Sequence, residues 1–214
     1  LSKEYSATMM PAGAKGTPNH AEKVMKYYSI ATGDSSAEIS LLEGNSGLKV
    51  VYYNQGDAAW KSIPYSTSTI GQSGCGPTSM AICISTLSGK KITPRQTCQW
   101  AGSQGYYVKG AGSKHDVIPG LAKKYGVKCK GVGKNKPQII QALKTGKLVV
   151  AIMSAGHFTS GGHFIVLTGI KDGKITVADC GSRQRTKQTW SLDLIVNESN
   201  SSASAGGPFW IISK

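Results

Sequence analysis

The apolar pattern of this chain changes character at about residue 148, and that change limits the fold more than any other feature. Before it, apolar residues recur at helical spacing. Met80, Cys83, Ile84 and Leu87 fall on one face and predict a helix over 77–87. Thr93-Pro94-Arg95-Gln96 reads as a capping box with proline at the first helical position, opening a second helix. A third is expected over 116–125, stopped by Gly126, and a fourth from Pro137 to Lys144, stopped by Gly146. After residue 148 come short strand-like runs: LVVAIM (148–153), HFIVLTGI (163–170), KITVAD (174–179) and PFWIIS (208–213). Asp172-Gly173 joins the middle two as a hairpin. Helices first and an antiparallel sheet second define an α+β fold rather than a parallel βαβ array.

Residues 1–20 are rich in Gly, Pro, Ser and Ala and read as an arm. A helix starting at Asn19 or His20 would carry Val24, Tyr27, Tyr28 and Ile30 and end near Gly33, and 34–50 read as loop. The expected organisation is therefore an extension over 1–50 with one helix and a compact domain over 51–214. The start, Leu-Ser-Lys, has neither Met nor a signal-type apolar core and reads as a processing point or a boundary within a longer chain. No window is long and apolar enough for a transmembrane segment.

The net charge is +14, from 25 basic and 11 acidic side chains. Such an excess favours an anionic neighbour: nucleic acid, an anionic membrane or an anionic cell-wall polymer. No element interleaves arginine with stacking aromatics, so nucleic acid is not expected as a partner. The histidines show neither HxxxH nor HExxH spacing, the cysteines no CxxC, and the glycines no phosphate-loop ending. No metal and no cofactor is expected.

The five cysteines, Cys75, Cys83, Cys98, Cys129 and Cys180, leave at least one thiol free. If Cys75 is that one, the other four could form two bridges or none. Cys75 lies on the bend Gly71-Gln72-Ser73-Gly74-Cys75-Gly76-Pro77, which feeds directly into a helix. A helix N-terminus favours the thiolate, and the amides of such a bend can hold a developing oxyanion. The bend alone fits a buried cysteine beside an ordinary helix-opening turn equally well.

A nucleophilic thiol needs a base, and there are four histidines. His20 lies in the extension and His115 at a helix-capping position. His157 sits in a Gly/Ser-rich loop, whereas His163 opens an apolar strand after two glycines and is the favoured base. Asp179 ends the partner strand and can orient the imidazole. Register decides whether it reaches. A two-residue loop at Asp172-Gly173 sets Asp179 opposite Val166, on the face away from His163. A three-residue loop or a bulge sets it opposite Ile165, on the same face. An odd-length loop or a bulge is therefore expected, with a direct hydrogen bond from His163 to Asp179.

In order, YYNQGDAAW, GCGPTSMA, GHFIVLTG and VAD resemble the bacteriocin-leader-peptidase-like branch of the papain-superfamily cysteine peptidases, over roughly Val51 to Lys214. The resemblance implies a papain-like fold with the cysteine on a helix N-terminus packed against the sheet. It also implies a Cys75-His163-Asp179 triad and an upstream glutamine completing the oxyanion hole. Gln55 matches that glutamine better than Gln72, which is only three residues from the cysteine. The chain departs from the family's usual Asp-Pro at Asp179-Cys180.

The expected function is a cysteine peptidase that hydrolyses amide bonds through a thioester. Its substrate would be a peptide, a protein or peptidoglycan, and its place the bacterial cell wall or the secreted fraction. The alternatives are a catalytically retired wall- or protein-binding module on a papain-like scaffold, and a CHAP-type wall amidase.

Overall fold

The structure, a computed structural model, describes residues 40–43 and 48–214. The helix expected near 19–33 lies outside the described residues. Among the described residues, short antiparallel strand pairs come first: β1 (Ser40–Glu43) with β2 (Lys49–Tyr52), β3 (Pro64–Tyr65) with β4 (Ser68–Thr69), and β5 (Tyr107–Val108) with β6 (Gly112–Ser113). Then come β7 (Lys128–Gly131), β8 (Leu148–Met153), β9 (His163–Lys171), β10 (Lys174–Ala178), β11 (Thr189–Trp190) and β12 (Phe209–Ser213). These six form one antiparallel sheet in the order β11-β10-β9-β8-β12-β7. The segment read as loop over 34–50 thus contains β1 and the start of β2.

The helical half follows its local signals. Thr93 accepts from the Gln96 amide while the Gln96 side chain accepts from the Thr93 amide, completing the capping box of Pro94–Ser103. Gly89 and Gly126 end Cys75–Ser88 and Val117–Tyr125 in the left-handed conformation. Asn135 caps Lys136–Lys144. His115 caps nothing: Asp116 precedes Val117–Tyr125, and His115 Nδ1 instead accepts from the Ser204 amide at 3.0 Å.

Apolar burial holds the halves together. Helix Lys136–Lys144 lays Ile139, Ala142 and Leu143 on Val149, Ala151, Ile165 and Leu167 of the sheet. Each valine, leucine or isoleucine among them, fully buried, contributes about 1.5–3 kcal/mol. Cys75–Ser88 packs against β9 and is nearly encased along its length, with Met80, Ile82 and Ile84 buried. An encased helix cannot tilt, so its first residue is held rigidly against the start of β9.

The β9–β10 hairpin has a two-residue loop, Asp172 (φ 50°) and Gly173 (φ 75°), with Lys171 opposite Lys174. By itself that loop would turn Asp179 away from His163. Between Thr176 and Val177 the register shifts: Thr176 faces Gly169, but Val177 faces Leu167. Thr168 is the extra residue, its hydroxyl 2.9 Å from that of Thr176. This bulge moves Ala178 opposite Val166, so Asp179 follows opposite Ile165. Of the two devices that could bring Asp179 to His163, the hairpin uses the bulge.

Candidate active site

Cys75 is the first residue of Cys75–Ser88, behind Gly74, which provides no side-chain cap. No acidic residue lies in the first turn, so the positive end of the helix acts on the thiol without compensation. Gly74 is required by space rather than by its dihedral angles. A Cβ there would lie 2.7 Å from the Ile70 carbonyl oxygen and 3.1 Å from Cys98 Sγ. Gly74→Ala is therefore expected to lower the urea unfolding free energy by about 1–3 kcal/mol, the usual cost of overpacking. Gly76→Ala, whose Cβ would meet the Phe164 ring at 3.3 Å, should cost less.

His163, at the start of β9, is 8 % exposed. Its Nε2–H donates to Asp179 Oδ1 at 2.7 Å, which leaves Nδ1 for its hydrogen bond with the Cys75 sulfur. Burial pulls the imidazole down. Hydrogen bonds to Asp179 and Cys75, together with their charges, outweigh it and raise His163 to about 9. Burial pushes the Cys75 thiol up, yet the His163 hydrogen bond and charge, with the Phe164 and Gly76 amides, leave it below its ordinary value. The arrangement favours a thiolate beside an imidazolium.

Asp179 is fully buried. Burial raises its carboxyl, but His163 and then Arg185 hold it below the usual carboxylate range. Arg185 Nε donates to Oδ2 at 2.5 Å, and the Gly181 amide donates to Oδ1 at 2.8 Å. The backbone is fixed as well: Tyr52 O–H donates to the Asp179 carbonyl at 2.9 Å, and the Asp179 amide donates to Thr186 Oγ1 at 3.0 Å. Arg185 and Thr186 belong to the single turn Arg183–Thr186 and carry no sequence signal beyond following Asp179 closely.

Gln55 comes from the turn after β2, where its amide donates to the Cys180 carbonyl at 2.8 Å. Its Nε2 donates to the Gly71 carbonyl at 2.8 Å, on the turn leading to Cys75. Gln72 is exposed and accepts from the Ser68 hydroxyl instead. His157 is committed elsewhere too, its Nδ1 2.5 Å from Glu198 Oε1 and its ring edge-on to Trp190. The structure thus brings Cys75, His163 and Asp179 together with Gln55 beside the same turn, and leaves His115, His157 and Gln72 out.

All five cysteines are free thiols, so neither of the two bridges considered from the sequence is present. Burial pushes Cys83 and Cys98 well up, and Cys129 to about 11.

A thiolate–imidazolium pair sets two pH limits. Below the lowered Cys75 value the nucleophile is protonated. Above about 9 His163 has lost the proton that a leaving amine needs. Amide hydrolysis is expected to follow a bell whose alkaline limb falls near pH 9, while alkylation of Cys75, which needs only thiolate, should not fall there. Parallel alkaline losses in both would show that His163 is not the acid.

The model of the Peptidase_C39 like family matches residues 47–205. Comparison with curated proteins gave no match. Among solved structures, a C39-like peptidase from Bacillus anthracis is similar at 16 % identity and a TM-score of 0.49, over 83 % of this chain and 98 % of that one. The peptidase domain of Streptococcus ComA, a bi-functional ABC transporter involved in a quorum sensing pathway, is similar at 13 % identity and a TM-score of 0.48. That match covers 66 % of this chain and 91 % of that one.

Proposed function

From the premise that this chain belongs to the Peptidase_C39 like family and is a cysteine peptidase with an α+β, papain-like fold, we propose that Cys75, His163, Asp179 and Gln55 are its catalytic residues. The Cys75 thiolate attacks the scissile carbonyl carbon. The Cys75 amide and Gln55 Nε2 hold the oxyanion, and His163 gives its proton to the leaving amine as the C–N bond breaks. His163 then takes a proton from water, whose oxygen attacks the thioester and releases the acid and the thiolate. Asp179 keeps Nε2 protonated and Nδ1 directed at sulfur. The observation that supports this reading is the 2.7 Å His163–Asp179 bond, which leaves the other ring nitrogen to serve Cys75.

For substrate, we propose peptides of the bacterial cell wall or extracellular proteins, with the enzyme secreted or wall-associated. The +14 charge supports an anionic neighbour. So does a groove of about 410 Å³ at the β7 edge, whose charged lining residues are Lys128, Lys130 and Lys147. No described helix is long and apolar enough to cross a membrane.

The test is to incubate the protein with purified peptidoglycan and, separately, with unfolded casein, and to identify new termini by mass spectrometry. New termini that vanish with Cys75→Ala support the peptidase, and their location selects wall or protein. Binding to the wall with no new termini in either substrate would favour the retired module.

A further inference from the structure

Cys180 is a buried thiol that the reaction above does not use. It follows Asp179 directly and is fully buried. Its Sγ lies 3.5 Å from three oxygens, those of Gln55 Oε1, the Cys75 carbonyl and the Phe164 carbonyl, and 3.6 Å from the Ser79 hydroxyl. The three amide oxygens can only accept from the thiol, whereas the Ser79 hydroxyl can donate to it or accept from it. Burial, followed by the charges of Cys75 and Asp179, pushes Cys180 well above an ordinary thiol, so it keeps its proton.

The contact with Gln55 has a chemical consequence. A glutamine side chain can sit in two orientations that exchange O and N, with nearly equal shape. Here the Gly71 carbonyl accepts from one end at 2.8 Å, and the Cys180 thiol lies 3.5 Å from the other, which is one of three oxygens open to its single proton. Flipping the amide would set two oxygens against each other at Gly71 and deprive Oε1 of the thiol. One Nε2 proton is spent on Gly71, so the second is the one left to meet a substrate oxyanion. The backbone bond from the Gln55 amide to the Cys180 carbonyl ties both residues to the loop that follows Asp179.

Resting on the proposed peptidase mechanism, we propose that Cys180 is a positioning residue, whose thiol fixes the side-chain amide of Gln55 so that it presents an N–H to the oxyanion.

The test separates attack that needs an oxyanion hole from attack that does not. p-Nitrophenyl acetate acylates a thiolate through a tetrahedral oxyanion, whereas iodoacetamide alkylates it without one. Cys180→Val keeps about the same bulk and removes the donor. Cys180→Ser keeps a donor with less bulk. Removing a whole oxyanion donor costs ~10²–10³ in rate, so misplacing one is expected to slow the acylation burst about tenfold in Cys180→Val. Iodoacetamide labelling of Cys75 should stay unchanged, and Cys180→Ser should recover most of the burst. In a Gln55→Ala background Cys180→Val should add nothing.

A burst at the wild-type rate in Cys180→Val would overturn the proposal while leaving the peptidase reading intact. The proposal would equally fall if Cys180→Ser were slower than Cys180→Val, the order that simple space-filling predicts, or if the loss were undiminished in Gln55→Ala. A wild-type protein that iodoacetamide labels at Cys75 but that shows no burst would remove the acyl-transfer mechanism, and this role with it.

Discussion

Cys75→Ala is expected to fold with unchanged thermal stability and to hydrolyse no amide bond, and limiting iodoacetamide at pH 6 is expected to label Cys75 alone. At that pH an unperturbed thiol of pKa ~8.5 is only about 0.3 % thiolate. Cys83, Cys98 and Cys180 are buried and shifted further against ionisation, and Cys129 is raised to about 11. Cys75 alone is lowered, held by His163 and the Phe164 and Gly76 amides at a helix start with no competing carboxylate. The preference should thus be a matter of reactivity as well as access, and should persist under mild urea that leaves the fold intact. Peptide mapping after labelling reads the outcome. Alkylation spread over several cysteines, or hydrolysis surviving in Cys75→Ala, would end the assignment of Cys75 as nucleophile.

How much of the fold and the site is legible in the sequence varies with the physics of each element. The Pro94–Ser103 helix announces its start, because a capping box and a proline act locally and need no tertiary partner. The β9–β10 loop is equally plain, since Asp172-Gly173 suits two successive positive φ values. The strand β7 is not: Lys128-Cys129-Lys130-Gly131 has no apolar alternation, and it forms because β12 supplies its hydrogen bonds. Its Gly131 admits the 206–207 loop so closely that a Cβ would lie 2.5 Å from the Gly206 carbonyl oxygen. In the candidate site, Cys75 and His163 are visible because a glycine-rich bend and a strand opening are local patterns. Arg185 is invisible, since its partnership with Asp179 exists only after the chain turns back at Gly181. The bulge at Thr168 lies between: arithmetic on the hairpin shows that some irregularity is required, but no residue says where.

Removal of the Asp179 carboxylate is expected to cost less than removal of the nucleophile and more than any other change around His163. The bulge places Asp179 on the His163 face, and three donors then fix it: His163 Nε2–H, Arg185 Nε–H and the Gly181 amide. In Asp179→Ala the imidazole loses its tautomer lock, and its protonated form loses both a hydrogen bond and a buried counter-charge. Loss of an aspartate in this role costs up to ~10⁴ in kcat, so a fall of about 10²–10⁴ is expected while Cys75→Ala falls to zero. His163 should also give up its proton more easily, so the alkaline limb of kcat/KM should move down from about pH 9. That shift separates an electrostatic role from a structural one, because a merely loosened fold lowers the rate without moving the limb. The fold should survive, since Arg185 is already partly exposed and can turn its guanidinium to water. Arg185→Ala is the graded companion. Asp179 would keep His163 but lose its second charge partner, so a smaller fall is expected with the limb not moving down, because without the guanidinium more of the carboxylate's charge acts on the imidazolium. If Asp179→Ala kept wild-type kcat/KM with the limb still near pH 9, the carboxylate would have no part in the reaction, and its hydrogen bond to His163 would be structural only.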